Sequence, residues 1–396
     1  MFHLIHVTTN KTTLIYYEST RKIKMNATTI DKESLDKALS SMQNVIYRKN
    51  KNDLASNVFI ETIEDKFILK STDYEMSIRI SLKIKEKQGE LKSAIDFSLF
   101  SNIIKALNDD NVIIELKDNY INFKQGKSRF KMPVMEYGNE QLFATLDYNK
   151  MEKLNIDSNP FLSASKKAVH ACSEKEIINI ALQGILLEIK NNEMNLVATD
   201  TKRLAYIKQK YEQETKDIYC LIPKKAINHI LKHFSENFDI YLQRGIYNNE
   251  ELIEYIAFVS ENTELYVKPI NAKYPSFEFL LKPRENEHKL SLNKIELMKA
   301  LIKMNVTNRN SKITFNKEFI KLETLDSDVE QINASIEIPC NLDLNEDITI
   351  GVSNRHLIEC LSASSNENIE INIATLDTPI LIDMGDIKEV IMPQIV

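Results

Sequence analysis

The amino-acid sequence predicts an α+β chain in which one domain occurs three times, each copy holding two strand-helix-meander motifs. The stretch Leu196-Val-Ala-Thr-Asp-Thr-Lys-Arg-Leu-Ala-Tyr206 reads as strand, turn and strand. Asp and Thr side chains bond nearby backbone amides and so favour a reversal there. The same turn recurs in 69–76 and in 322–329, so Asp73, Asp200 and Asp326 stand 127 and 126 residues apart. A second marker keeps that period: Leu107, Phe234 and Leu361, each closing an amphipathic helix, are spaced by 127 residues twice. Two independent features on one spacing indicate a triplicated domain.

Length alone, at roughly 150 residues per domain, allows two or three domains. The repeat selects three. A chain with 43% hydrophobic and 27% charged residues can bury a core in each copy. No run approaches the roughly 18 apolar residues that span a bilayer, so a soluble protein is expected. Cys172, Cys220, Cys340 and Cys360 lack C-x-x-C spacing. They read as reduced packing residues of a cytoplasmic protein. A net charge of −6 disfavours a uniformly basic nucleic-acid binder and leaves the matter to where the lysines sit.

Residues 1–24 fit no repeat and read as a flexible appendage or an upstream start. The first domain, 25–142, follows. Asp31 is placed to cap a helix whose Leu35, Leu39, Met42 and Ile46 recur at helical spacing, with Lys37, Ser41 and Asn44 facing out. Strands are expected near 57–63, 66–71, 77–84 and 92–95, then a helix over 97–107 that buries Phe100, Ile103, Ile104 and Leu107. Strands near 112–116, 120–123 and 128–132 end the unit.

The second domain, 143–281, repeats this order. Its first helix, near 161–172, sets Lys166 and Lys167 opposite Leu162, Ser165, Ala168 and Val169. Its second opens with Pro223 at the favoured first helical position and buries Ile227, Ile230, Leu231 and Phe234. Tyr274-Pro-Ser-Phe277 reads as the entry to a linker. The third domain, 282–396, carries helices near 294–304 and 353–361. On these helices Lys37, Lys105, Lys166, Lys167, Lys225, Lys232, Lys299, Lys303 and Arg355 fall away from the apolar stripe, diluted by Asp36, Glu296 and Glu359. A solvated face explains any one helix; recurrence in every copy does not follow from that alone.

Catalytic constellations are hard to find. The seven glycines are too scattered for G-x-G-x-x-G or a phosphate loop, and neither G-x-S-x-G nor H-E-x-x-H occurs. His229 and His233 are four apart on a helix without a nearby third ligand, and read as surface histidines rather than a metal site. Asp73 and Asp200, as members of a repeated turn, are expected to bond within it. His170 and Cys172 are two apart and point in different directions on a helix. No cofactor and no metal are expected.

Four segments in order carry a resemblance: 181–188 (ALQGILLE), 196–205 with its Thr-Asp turn, Lys273-Tyr-Pro-Ser-Phe277, and Val390-Ile-Met-Pro393. With Gly126-Lys-Ser-Arg-Phe130 they resemble the bacterial sliding clamps, the beta subunits of DNA polymerase III, over 25–396. The resemblance implies three clamp domains per chain and a ring-shaped head-to-tail homodimer around double-stranded DNA. It implies a processivity factor with no catalysis of its own. The implied partners are the DNA polymerase III alpha subunit, the clamp loader complex and other clamp-motif proteins, with no membrane. A triplicated protein-binding adaptor that does not encircle DNA is the alternative, and an enzyme on the same fold a remoter one.

The resemblance also implies a partner-peptide cleft at Leu182, Thr199, Thr201, Lys202, Arg203, Leu204, Pro275, Phe279, Leu280, Ser353, His356, Met392, Pro393, Gln394, Ile395 and Val396. The apolar members would form its floor, with Arg203 at the rim. Thr201-Lys202 stands where the family has Gly-His, Phe279 where Arg is common, and Gln394-Ile-Val396 where Met-Arg-Leu is familiar. The lysines and Arg355 named above would face DNA. Phe130, Met132 and Val306 would meet at the dimer interface.

Overall fold

The computed structural model describes residues 26–47, 53–108, 110–135, 143, 150–174, 179–211, 216–235, 237–247, 249–285, 287–325, 334–375 and 377–394. The appendage at 1–24, the third turn at Asp326, and Ile395 and Val396 lie outside them. The chain separates into two compact units, 1–143 and 144–396.

In the first unit β1 (Asn26–Asp31) leads into α1 (Lys32–Met42), followed by β2 (Asn57–Ile63), β3 (Lys66–Thr72), β4 (Met76–Lys83) and a short β5 (Glu86–Gln88). Then β6 (Lys92–Asp96) leads into α2 (Phe97–Ala106), β7 (Asn111–Lys117), β8 (Tyr120–Gln125) and β9 (Ser128–Pro133). Strands β5, β1, β7, β8 and β9 form one antiparallel sheet in that order, while β6, β2, β3 and β4 pair in sequence. Both helices start at an aspartate: Asp31 accepts from the Ser34 amide at 2.9 Å and Asp96 from the Leu99 amide at 2.7 Å. Each satisfies a donor that the first helical turn leaves open.

The second unit holds the other two repeats. In the first of them β10 (Glu152–Leu154) and α3 (Ser158–Ala168) precede β11 (Gly184–Lys190), β12 (Glu193–Thr199) and β13 (Arg203–Lys210). Next come β14 (Ile218–Pro223), α4 (Lys224–His233), β15 (Asp239–Tyr247), β16 (Glu250–Val259) and β17 (Thr263–Val267). In the last repeat β18 (His288–Asn293) and α5 (Lys294–Thr307) precede β19 (Asn310–Phe315), β20 (Phe319–Thr324) and β21 (Ser335–Pro339). Finally β22 (Ile348–Ser353) and α6 (Asn354–Ser362) lead to β23 (Asn368–Ile373), β24 (Ile380–Asp383) and β25 (Lys388–Ile391). All six motifs thus run strand, helix, three strands; β5 alone is additional among the described residues.

The two repeats of this unit share one eight-stranded sheet, ordered β14-β11-β12-β13-β25-β24-β23-β18. Its seam is β13 against β25, with Arg203 opposite Ile391 and Leu204 opposite Val390. A second sheet in the last repeat runs β21-β20-β19-β22. Helices pack side by side, α1 with α2, α3 with α4 and α5 with α6.

The repeated turn has one hydrogen-bond pattern in both described copies. Asp73 Oδ1 accepts from the amides of Glu75 and Met76 at 3.1 and 2.7 Å, and the Thr72 hydroxyl donates to the Met76 carbonyl at 2.8 Å. Asp200 Oδ1 accepts from Lys202 and Arg203, both at 3.0 Å, and the Thr199 hydroxyl donates to the Arg203 carbonyl at 2.6 Å. Tyr74 and Thr201 occupy the same position at φ 75° and 74°. The turn's own bonds hold this left-handed conformation, which costs a non-glycine residue of order 1 kcal/mol.

Several helix faces differ from the sequence expectation. Ser41 is buried rather than outward, and Ile46 is buried beyond the end of α1. On α3 the buried stripe is Phe161, Ala164, Ser165 and Ala168, with Leu162 and Val169 half-buried, because the helix begins earlier than the apolar count suggested. Pro223 ends β14 and caps α4 instead of opening it, and Leu231 is half-buried. His229 is not a surface residue: it is 1% exposed, its ring 4.8 Å from that of His233. Among the described residues no cluster of three metal-ligating side chains occurs.

Candidate partner-peptide groove and charged helix faces

The groove is built at the seam between the two repeats of the second unit. After β25 the Met392 amide donates to the Lys202 carbonyl at 2.8 Å, and the Gln394 amide donates to the Gly351 carbonyl at 2.9 Å. The tail therefore bridges the Thr-Asp turn of one repeat and β22 of the next. Pro393, between these two amides, has no donor to satisfy. Ser353 ends β22 and caps α6 by accepting from the His356 amide at 3.5 Å. These bonds link the turn to the tail and the tail to β22, whose last residue Ser353 caps the helix of His356.

One face of the shared sheet supplies the apolar part. Leu186, Val197, Leu204, Leu221, Leu381 and Val390 form a buried cluster closed by Tyr274 and Phe277 of the linker, with Leu280 packed against it. Pro275 and Met392 are half-buried beside these elements, and Leu182 is buried. Phe279 is 63% exposed, a large apolar surface where the resemblance led to an expected arginine.

Arg203 departs from its expected place at the rim. It is 6% exposed, and its guanidinium is consumed internally. Nε donates to Asp200 Oδ2 at 3.3 Å, one terminal nitrogen bonds Glu359 of α6, and the other donates to the His170 carbonyl at 2.6 Å. Strand alternation explains the inversion: Leu204 faces the linker, so Arg203 faces the helices. Thr199 is likewise buried, its hydroxyl used by the turn.

Sequence reasoning missed the rest of this charge cluster. Glu389 on β25 is fully buried with His170 Nε2 at 3.1 Å, and burial holds its carboxyl above the ordinary value despite His170 and Arg203. Its signal was available, since Ile387-Lys-Glu-Val-Ile391 puts Glu389 on the face of two isoleucines. Glu359 carried one too: it stands four residues after Arg355 and accepts from its Nε at 2.8 Å. Burial and Arg203 push the His356 imidazole below its usual range. Burial also pushes the Cys172 and Cys220 thiols up to about 12, so neither is a nucleophile at neutral pH.

The helix cations divide into two groups. Lys37 pairs with Glu33 at 2.6 Å, Lys299 with Glu296 at 2.9 Å, and Arg355 with Glu359. Lys167 is no outward cation, being only 22% exposed and 2.6 Å from Asp386. Lys105, Lys166, Lys225, Lys232 and Lys303 are exposed. At the expected dimer contact, β9 is an edge strand with Phe130 half-buried, and Val306 is 84% exposed. Met132 must be struck from that surface. It is 1% exposed, opposite the buried Ile121, and packs inside its own unit.

These features define a non-membrane-helical chain of three βαβββ pairs, with a groove where two repeats fuse one sheet; among the described residues no helix is long and apolar enough to cross a bilayer. Comparison with known proteins gives its relatives. Residues 26–142, 155–276 and 280–394 match the N-terminal, central and C-terminal domains of the DNA polymerase III beta subunit. The Helicobacter pylori beta sliding clamp is 29% identical over 360 residues, covering 89% of this chain and 92% of that protein. That of Chlamydia muridarum is 24% identical over 371 residues, covering 92% and 97%. The crystal structure of the Helicobacter pylori beta clamp bound to a DNA ligase peptide superposes with a TM-score of 0.82 at 26% identity, covering 93% of this chain and all of that one. The Pseudomonas aeruginosa beta subunit, at 18% identity and a TM-score of 0.81, shares the fold. The chain belongs to the DNA polymerase III beta subunit family, the bacterial sliding clamps.

The Glu359 carboxyl predicts an acid-dependent stability. Burial works to raise it, but hydrogen bonds from Arg355 and Arg203 together outweigh burial and hold it below the ordinary 4.5. A carboxyl depressed in the folded state stabilises above its unfolded value and loses that contribution as pH falls through the folded one. Glu359→Gln should therefore lower the melting temperature at pH 7, and the gap to the parent protein should narrow as the pH falls below the ordinary 4.5 and through the depressed value. A gap that stays constant on acidification would show that the Arg203 cluster does not depend on this charge.

Proposed function

We propose that this chain is a processivity clamp without catalysis of its own, organised as domains 25–142, 143–281 and 282–396. Two copies close head to tail into a ring around double-stranded DNA. The groove tethers the DNA polymerase III alpha subunit, the clamp loader complex and other clamp-motif proteins in the cytoplasm. The observation that carries the reading is the C-terminal tail, bonded at Met392 to the Thr-Asp turn and at Gln394 to β22. These bonds hold the tail against the turn beside the apolar cluster of the shared sheet, and a linear peptide docks on apolar surface with a few polar anchors. The family membership and the peptide-bound Helicobacter pylori relative support the same use here. Free cysteines, three of them buried, suit a reducing compartment.

Exposed Lys105, Lys166, Lys225, Lys232 and Lys303 are the groups proposed to meet phosphate, and Lys37, Lys299 and Arg355, exposed but each beside a glutamate of its own helix, contribute less. An acidic protein can present a basic surface locally, because attraction to phosphate follows local potential rather than total charge. Contacts to the backbone alone carry no sequence information and leave the ring free to slide. The subunit contact is proposed between the β9 edge with Phe130 and the α5 end with Val306.

Three measurements test these parts separately. Replacing Lys166, Lys225 and Lys303 by Gln should weaken retention on nicked circular DNA for every sequence alike. It should also flatten the salt dependence by about one counterion per lost contact. An unchanged slope counts against these helices facing DNA, and a protein that does not slip off when the circle is cut is not a ring. Deleting Gln394 to Val396 should abolish binding of a clamp-motif peptide by calorimetry while leaving DNA retention intact; wild-type affinity in the deletion refutes the groove. Val306→Asp should sediment as a folded monomer, and a persistent dimer would place the subunit contact elsewhere.

A further inference from the structure

A cavity of about 430 Å³ is lined by Pro275 and its neighbours where residues 271–278 lie against β11 and β14. Leu186 lines its apolar part, and Glu188, Tyr219, Lys273 and Glu278 line the rest. The cavity is preformed rather than slack. The Tyr274 amide donates to the Tyr219 hydroxyl at 2.6 Å, the Ile270 amide to the Leu221 carbonyl at 2.9 Å, and the Leu280 amide to the Phe277 carbonyl at 2.9 Å.

Its charge is unbalanced. Glu188 and Glu278 supply two carboxylates and Lys273 one amine, which leaves one negative charge for a single cation to neutralise. Among the described residues the carboxylates accept from neutral donors, Glu188 from Asn195 at 3.3 Å and Glu278 from the Phe277 amide at 3.0 Å. Burial chiefly raises the Tyr206 hydroxyl; Lys208 lowers it, and Glu193, Glu188 and Glu278 raise it, so both cavity carboxylates lie within electrostatic reach of one ring. Tyr219, 47% exposed, offers an aromatic face on which a guanidinium or ammonium can sit. The exposed Phe279 next to Glu278 brings no cation to oppose them.

We propose that this cavity takes one arginine or lysine side chain from the flank of a peptide seated in the adjoining groove, so that partners of this clamp are selected for a basic residue beside the motif. The proposal rests on the groove reading, because Pro275 is the wall the two sites share. The stem of the cation lies on Leu186 and Pro275, and its head reaches Glu188 and Glu278 over Tyr219. Holding the cavity open in advance removes ordering cost from binding.

The test is calorimetry with three peptides of one clamp motif: bare, with flanking arginines, and with flanking glutamates. The parent protein should bind the arginine peptide roughly tenfold tighter than the glutamate peptide, the scale of one shielded ion pair with a stacked ring. In Glu188→Gln/Glu278→Gln the preference should vanish while the bare peptide keeps its affinity, and Glu278→Lys should favour the glutamate peptide. Equal binding of both flanked peptides by the parent, or a preference that survives the double substitution, overturns the proposal with the groove intact. A bare peptide that fails to bind overturns the groove and this subsite together. Unchanged melting of the Gln variants separates lost recognition from lost folding.

Discussion

The pairing of β13 with β25 is the constraint on which the second unit depends. It joins two repeats into one continuous sheet, so that neither closes its own edge. An open edge would expose a row of unpaired amides and carbonyls, and fusing two repeats removes one edge from each. The same pairing sets the sidedness of everything nearby. With Leu204 against Val390 and Arg203 against Ile391, apolar groups go to the linker side and charge goes to the helix side.

That sidedness explains how a charged cluster survives under the sheet. Arg203 is surrounded by Asp200, Glu359 and a backbone carbonyl, so each of its three side-chain nitrogens has an acceptor. A buried ion pair adds little net stability over an apolar replacement, yet removing one member costs about 3–5 kcal/mol because the other is stranded. Its role is therefore positional. Asp200 belongs to the turn, Glu359 to α6 and His170 to the segment after α3, and only one mutual placement satisfies them all. The residues of the proposed groove are carried on these same elements, so the cluster beneath the sheet orients them.

The two described turns show how a repeat can keep geometry while changing chemistry. Thr72-Asp73 and Thr199-Asp200 make the same three side-chain-to-backbone bonds. The residue that follows the turn differs: Met76 is 1% exposed in an apolar setting, whereas Arg203 anchors the ion cluster. A triplicated scaffold can thus carry a partner groove at one seam without carrying it at every copy.

The sequence by itself determined the period, the six strand-helix-meander motifs and the place of the turn, because hydrophobic spacing and local side-chain-to-backbone bonds act within a few residues. The segments 196–204 and 390–393, from which the groove is proposed, were also picked out in order. Helix faces were less legible: α3 starts at Ser158 rather than near 161, Pro223 precedes α4 by one position instead of opening it, and Ser41 is buried although Asp31 caps α1 as expected. Only the tertiary structure decided which charges are spent. Lys167 looks like Lys166 in sequence, yet Asp386, 219 residues away, pairs with it. Met132 looks like an interface residue until Ile121 is seen opposite it. Arg203 reads as a rim group until the seam with β25 turns it inward. These outcomes hang on contacts between distant segments, for which local spacing holds no record.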